Sequence, residues 1–376
     1  MKFYASVCAI AKDEEPTIRA WAFYHLAIGF EHITLFDNNS AVPLKDVFAD
    51  LMREGVVAVI DLDSRENQQL SAYFSYIKQF PSFSRWVAFI DIDEYVVPKK
   101  HADIKEFLAD YEEFAGVGIS WKIFGSNGHL ARPRTSVPEA YPRFIGKDRQ
   151  IKSIVQPQFV LKPVSPHHFE FAQDKYCVNE DRIPILGPFS YHSSETIQIN
   201  HYYYQSQQDW HEKMERGFAT RLKHKSGYAI EEFYRQARLT GEEDRCALKF
   251  LPRMRFLEKQ PPGVARDVVQ EDARTGCEGY CRRITQLILG SKAREAITVF
   301  RKAARYHDEA ALYAIGMKLY LMTGDFPAFL ATARTAILKT KDSPAMRKLI
   351  LEALADGYAR AGFPGRHAAI MAEITS

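Results

Sequence analysis

The chain's patterning predicts an α/β domain built on a mainly parallel sheet, followed by a smaller all-α domain, and three observations carry that prediction. Through the first third, short apolar runs suited to buried strands alternate with amphipathic helical segments. Each apolar run closes on polar residues at its carboxyl end. The character changes past residue 258, and from Leu287 onward the pattern is almost continuously helical.

Phe3 to Ala11 is an apolar run suited to a first buried strand. Pro16 then sits near the start of an amphipathic helix over 17–28, with Ile18, Trp21, Ala22, His25 and Leu26 on one stripe and Gly29 at its end. His32 to Phe36 forms a second strand, closed by the turn cluster Asp37-Asn38-Asn39-Ser40. Val56 to Leu62 gives a third, and a polar segment around 65–69 leads into an aromatic-rich helix over 70–80. In the fourth strand Val87, Ala88, Phe89 and Ile90 read as buried on both faces, as in a parallel sheet. That strand ends in Asp91, Asp93 and Glu94 before a further apolar triplet. The β-α-β-α-β-α-β order implies right-handed crossovers between parallel strands.

With 376 residues the chain can build two or three domains, and 46% hydrophobic with 26% charged residues is the balance of an ordinary soluble protein. A net charge of +3 is too mild to argue for a nucleic-acid partner, although local basic patches could still meet a phosphorylated donor or an anionic membrane. Lys12-Asp13-Glu14-Glu15 stops the first apolar stretch well short of a signal peptide or membrane span. The expectation is a cytoplasmic protein, with room for a peripheral place on the inner face of the membrane. Five dispersed cysteines, Cys8, Cys177, Cys246, Cys277 and Cys281, read as reduced structural thiols rather than a zinc site.

The chemistry concentrates at the strand ends. Residues two apart on a strand point to the same side, so Asp91 and Asp93 would offer two hard oxygen ligands to one Mg²⁺ or Mn²⁺ holding a diphosphate. Glu94 points to the other face and reads as a supporting residue. A bare Asp-x-Asp also serves as a strand and turn cap, but here it is one of four polar ends in series: Lys12, Asp13 and Glu14; Asp37 and Asn38; Asp61 and Asp63; Asp91 and Asp93. Ligands bind at such carboxyl ends, and the rim is nucleotide-sized.

Lys12-Asp13-Glu14, Trp21-x-x-x-His25, Gly29-Phe30-x-His32-Ile33, Phe36-Asp37-Asn38-x-Ser40 and Asp91-x-Asp93-Glu94-Tyr95 together resemble the family-2-like glycosyltransferases related to family 92. The resemblance runs on through Trp121-x-x-Phe124-Gly125-x-x-Gly128, Arg143-Phe144, Lys152-Ser153-Ile154-Val155, a histidine at His167 or His168, and Asn200-His201-Tyr202-x-x-x-Ser206 with Lys213 and Gly217, covering about residues 1–250. Two departures stand out: Asp13 where Asn is more usual, and Gln205 where a basic residue usually precedes Ser206.

The resemblance implies a GT-A fold that moves a sugar from a nucleotide-diphosphate donor, by default a UDP-sugar, to a glycan, lipid-linked or other hydroxyl acceptor. Lys12, Asp13, Glu14, Asp37 and Asn38 would then line the base and ribose pocket, Asp91 and Asp93 would hold Mn²⁺ or Mg²⁺, and His201 would be a third ligand. Inversion would need a general base between the Asp-x-Asp and the late histidine, which leaves Glu139, Glu170, Asp174 and Glu195. Glu139 is favoured because it precedes Tyr141-Pro142-Arg143-Phe144, where acceptor contacts are expected. Trp121, Phe124 and Tyr202 to Tyr204 could stack on sugar faces or simply pack the core.

The organisation expected is a catalytic domain over 1–258, a linker over 259–286 containing Gln260-Pro261-Pro262-Gly263, and a helical domain over 287–376. Gly290, Gly324 and Gly362 each precede a new helix, at spacings near the period of tetratricopeptide hairpins. Such a domain would dock a protein or acceptor, or stabilise the enzyme or a dimer by packing. A phosphohydrolase using a nucleophilic aspartate is a rival, but that chemistry usually places its dyad on the first strand. A non-enzymatic rival is a degenerate glycosyltransferase domain kept as a scaffold for the helical tail.

Overall fold

The computed structural model describes residues 1–62, 68–172, 174–190, 194–216, 231, 233–236, 241–259, 281, 284–285, 287–289, 292–304, 310–340 and 343–375. Asp63, Gly217, the 260–263 segment, Cys277 and Gly290 fall outside these residues. Two compact units divide the chain, Met1–Gln270 and Glu271–Ser376.

The first unit begins β1 Phe3–Ala11, α1 Glu15–Ala27, β2 His32–Asp37, α2 Leu44–Val47, α3 Ala49–Glu54, β3 Val57–Asp61, α4 Gln68–Gln79 and β4 Ser84–Phe89. It continues β5 Glu94–Pro98, α5 Ile104–Ala109, β6 Gly116–Phe124, α6 Val137–Ala140, β7 Phe144–Val155, β8 Val160–Pro163, β9 Phe169–Phe171, β10 Cys177–Val178, β11 Pro184–Ile185 and β12 Ile197–His201. It closes with α7 Gln207–Arg216 and α8 Leu251–Glu258.

The central sheet is mostly parallel. Strands β3, β2, β1 and β4 lie side by side in parallel, in that order. Beyond β4 the sheet turns mixed: β7 runs antiparallel to both β4 and β6, while β12 is parallel to β6 and antiparallel to β5. The parallel half is the part that hydrophobic runs predict. The second half depends on pairings distant in sequence, which alternation alone does not assign.

The expected elements differ from the observed ones at one place that matters. The fourth strand stops at Phe89, and Asp91 and Asp93 lie in a turn between β4 and β5. The same-side argument for residues two apart on a strand therefore does not apply to them. Glu94 opens β5 and is fully buried.

Packing explains the α1 stripe. Trp21 Nε1 donates to the Glu94 carbonyl at 2.8 Å and the Tyr24 hydroxyl to the Val96 carbonyl at 3.2 Å, fastening α1 across β5. His25 completes the clamp: Nδ1 is 2.9 Å from the Trp21 carbonyl, and Nε2 accepts from the Val96 amide at 3.4 Å. Burial lowers the His25 pKa to about 3, so the ring is a neutral core residue. Trp21 and Trp86 are fully buried, and each large apolar side chain removed from water contributes about 1.5–3 kcal/mol.

The second unit is helical: α9 Ala293–Ala303, α10 Ala310–Thr323, α11 Phe326–Lys339, α12 Pro344–Arg360 and α13 Pro364–Thr375. Gly324 and Gly362 adopt φ of 73° and 82°, which lets the chain reverse between helices. Asp325 caps α11 by accepting from the Ala328 amide. Two helical glycines admit neighbouring rings, for a Cβ on Gly316 would lie 2.2 Å from the Phe300 ring and one on Gly357 2.1 Å from the Phe329 ring. These two close approaches set the spacing of the helices.

Gly316→Ala should therefore lower stability by about 1–3 kcal/mol through overpacking. Gly365→Ala, which meets open space, should stay within about 0.5 kcal/mol of wild type. Urea denaturation of the full chain followed by far-ultraviolet circular dichroism checks the contrast; equal effects at the two positions would contradict it.

Candidate active site

Strand order places the site. From β1 the chain steps outward to β2 and β3, then returns to the other flank of β1 as β4. The carboxyl ends of β1 and β4 therefore part around a crevice, the usual ligand position in an open α/β sheet. A cleft of about 290 Å³ opens there. Lys12 and Glu14 follow β1 into it, Asn38 follows β2, Gln68 and Gln69 open α4, and Asp91 and Asp93 follow β4. Trp121, His167, His201, Tyr203 and Lys213 complete the wall.

Six of the residues singled out from sequence thus meet in one cleft: Lys12, Glu14, Asn38, Asp91, Asp93 and His201. Asp13 is set to one side, with φ of 50° and its carboxylate accepting from the Ala41 amide at 2.7 Å. It lines a smaller neighbouring hollow of about 40 Å³ together with Glu14, Asp93, Gln205 and Lys213. Asp37, the last residue of β2, accepts with its two oxygens from the Ser40 and Leu44 amides, each at 2.9 Å. Its acceptor capacity goes to shaping the turn and the start of α2.

The structure places Glu139 outside both hollows. It is the third residue of a capping box, accepting from the Ser136 hydroxyl at 2.6 Å, and it pairs with Arg255. That arrangement explains its conspicuous place before Tyr141 as helix capping. Glu170 pairs with Lys162 at 3.0 Å, and neither it, Asp174 nor Glu195 lines the cleft.

The carboxylates after β4 are each supplied with positive charge from a different part of the chain. Lys152 on β7 is fully buried, with Nζ 2.9 Å from Asp91 Oδ2 and 3.7 Å from Glu94 Oε2. Burial disfavours its charge, but Asp91 and Glu94 outweigh that and raise its pKa. Gln69 donates to the other Asp91 oxygen. Glu94 accepts from the Asp91 amide at 2.9 Å, which folds the turn back on itself. Burial pushes the Glu94 carboxyl well above the usual range; Lys152 opposes this, and the negative charges of Asp91 and Asp93 add to it.

Asp93 has two partners. Lys213 Nζ, on α7, lies 2.7 Å from Oδ2, and His201 Nε2 lies 3.5 Å from Oδ1. Burial alone would raise this carboxyl, but the charges of Lys213 and His201 with their hydrogen bonds hold it well below the usual carboxylate range. His201 reaches this point because β12 pairs with β5, setting His201 opposite Glu94, and because the Tyr202 amide donates to the Asp93 carbonyl at 2.8 Å. Its ring packs on Trp121 at 4.4 Å between centroids.

The donor set partly fits a divalent cation. Two ligands each about 2.1 Å from one ion stand about 3–3.5 Å apart, which matches Asp93 Oδ1 and His201 Nε2. The His201 Nδ1 atom is buried without a hydrogen-bond partner among the described residues, so no contact there ties up the ring. Asp91 lines the same cleft, with one oxygen accepting from Gln69 and the other beside Lys152. Among the described residues no group of three or more His, Cys, Asp or Glu side chains stands assembled for a metal.

Composition and spacing missed four contributors. Lys152 and Lys213 carry no role within the quoted motifs, and Gln69 falls in the polar segment over 65–69 that leads into the helix. His167 lines the cleft with its ring edge-on to Trp121 at 5.3 Å and Nδ1 2.9 Å from the Ile151 carbonyl. The available signal was charge balance: three carboxylates in four residues beside buried strands require cationic partners.

The family model described as Glycosyltransferase family 92 matches residues 2–236. A family 92 protein of Arabidopsis thaliana is 26% identical over 246 residues, covering 58% of this chain and 38% of that protein. One of Oryza sativa subsp. japonica is 25% identical over 205 residues, covering 53% and 33%. The chain thus spans about a third of the length of these relatives. The crystal structure of S. aureus TarS 1-349 in complex with UDP-GlcNAc aligns over 90% of this chain and 92% of that one, at 12% identity and a TM-score of 0.32. That superposition is too weak to carry an argument.

The Asp93 pair yields a pH-dependent expectation. Asp93→Asn leaves Lys213 without its countercharge and should cost about 2–3 kcal/mol at pH 7, less than for a fully buried pair, because Asp93 keeps 18% side-chain exposure. A carboxyl held below its unfolded value, near 4, contributes stability above that pH and loses it as the pH falls through the folded value. The gap between wild type and variant should stay constant from about pH 5 to 8 and narrow below about pH 4. Urea titrations across that range decide it, and a gap unchanged at about pH 3 counts against the pairing.

Proposed function

The chain belongs to glycosyltransferase family 92, and on that premise we propose that it moves a sugar from a nucleotide-diphosphate donor, a UDP-sugar, to a hydroxyl of a glycan or lipid-linked acceptor, with inversion. The observation that carries the reading is the convergence of Lys12, Glu14, Asn38, Asp91, Asp93 and His201 on one cleft at the β1/β4 crevice. We take the first unit to be a GT-A domain on the same ground.

In this reading Lys12, Glu14 and Asn38 receive the base and ribose, and the diphosphate lies toward Asp93. Asp93 and His201 are the residues that would hold Mn²⁺ or Mg²⁺, which when bound offsets the charge developing on the departing diphosphate. Trp121 and Tyr203, on the cleft wall, are placed to pack against the sugar.

The base is assigned to the cleft itself. With Nδ1–H donated to the Ile151 carbonyl, His167 keeps a lone pair on Nε2. Burial, aided by the Lys152 charge, lowers its pKa to about 4, so the ring is neutral. A base of that strength is weak at neutral pH, and the negative charge of a bound diphosphate would raise it. We place the reaction in the cytoplasm. Among the described residues no helix is long and apolar enough to cross a membrane, and a lipid-linked acceptor would be approached from the membrane surface. The helical unit, tetratricopeptide-like in this reading, would dock the acceptor or a protein partner.

A melting-temperature screen of nucleotide sugars with Mn²⁺ tests the donor reading, since a ligand at 100 times its Kd adds about 2.7 kcal/mol. A UDP-sugar is expected to raise Tm, and a screen in which no nucleotide sugar does so sinks the proposal. His167→Ala should reduce kcat for transfer by about 10²–10⁴-fold while donor affinity stays within about threefold. Loss of donor affinity in step with kcat would instead make His167 a binding residue.

A further inference from the structure

Asp93, which the cation would need, already has an occupant. The Lys213 ammonium is 2.7 Å from Asp93 Oδ2, donates to the Tyr203 carbonyl at 3.1 Å and stands 4.0 Å over the Tyr203 ring. Its position is fixed by the helix that bears it. At the start of α7 the Ser206 hydroxyl donates to Asp209 at 2.5 Å and the Asp209 amide donates back at 3.1 Å, while Arg132 pairs with Asp209 and Glu212. Lys213 is nonetheless open to ligand, because it lines both the main cleft and the smaller hollow beside it.

Charge bookkeeping then constrains what can enter. At rest Asp91 is balanced by Lys152 and Asp93 by Lys213. A divalent cation arriving alone must bind beside an ammonium on the same carboxylate, and like charges at that range repel strongly in a partly buried site. A nucleoside diphosphate arriving alone meets Asp91 and Asp93. Only the two together bring enough charge of both signs to satisfy the carboxylate, the cation and the ammonium at once.

We propose that Lys213 is a diphosphate-binding residue held in reserve on Asp93: it serves as the carboxylate's counterion in the free protein and exchanges it for diphosphate oxygens when cation and nucleotide bind. The proposal rests on the nucleotide-sugar reading of the cleft. It makes the two ligands mutually dependent, and the coupling must be reciprocal.

The experiment is titration of the full-length protein with Mn²⁺, followed by the free-ion paramagnetic resonance signal, and with UDP, followed by calorimetry, each in the presence and absence of the other. Wild type should bind Mn²⁺ about 10-fold or more tightly when UDP is present. Lys213→Met, which keeps the length and removes the charge, should bind Mn²⁺ alone about 10-fold more tightly than wild type, bind UDP less tightly, and lose most of the coupling. Lys213→Arg should retain the coupling. Equal Mn²⁺ affinity in wild type with and without UDP overturns the proposal by itself, whether or not the methionine variant folds, as does a folded Lys213→Met with unchanged affinities. If wild type binds UDP under neither condition, the donor reading is what has failed and the exchange falls with it; Mn²⁺ tightening in Lys213→Met would then remain as evidence only that Lys213 screens Asp93.

Discussion

Three carboxylates within four residues, set at the end of a buried strand, impose the constraint on which the first unit depends. Each must find a cation or hydrogen-bond donors, or give up its charge. Asp91 takes Lys152 from β7 and Gln69 from α4, Asp93 takes Lys213 from α7 with His201 from β12, and Glu94 is left with a raised pKa. Four elements, spread over more than 140 residues of chain, are thereby held to one turn. The antiparallel β7 and the β5–β12 pairing are the means by which those side chains arrive. The mixed half of the sheet is therefore as much a part of the site as the parallel half.

The same constraint explains why the site lies where it does. A parallel β-α unit opens its strand ends to ligand only where neighbouring connections diverge, and β1/β4 is that place here. The residues after β2 illustrate the gradient. Asn38 reaches the cleft, where its amide donates to Gln68 at 2.7 Å, while Asp37 one residue earlier turns into the loop. A polar residue at a strand end is thus either wall or hinge according to which way one peptide faces.

That distinction marks how far the chain could be read unaided. The strands β1 to β4, the α1 stripe and the cleft residues Lys12, Glu14, Asn38, Asp91, Asp93 and His201 were legible, because local periodicity and strand-end polarity are properties of short windows. Asp13, Asp37 and Glu139 stand outside the main cleft for a common reason. Each is a carboxylate whose acceptors serve nearby backbone amides or a helix cap, and in sequence a capping carboxylate and a catalytic one look alike. Lys152 and His167 were passed over for the opposite reason. Their partners are Asp91 and the Ile151 carbonyl, and for Lys152 the pairing spans about sixty residues, a contact no periodicity encodes.

Gln205 shows how such distances matter to inference from motifs. At the position where the resemblance expects a basic residue this chain has a glutamine, which reads as the loss of a phosphate-binding charge. In the fold Gln205 takes φ of 48° and lines the small hollow beside Asp93, and Lys213 lines that hollow too. The positive charge is therefore present at the same hollow, delivered from two turns along α7 rather than from the loop before it. An ammonium on a helix anchored by Ser206, Asp209 and Arg132 has fewer conformations to lose on binding than one on a loop. Read position by position, the motif lacks a charge; the hollow itself retains one.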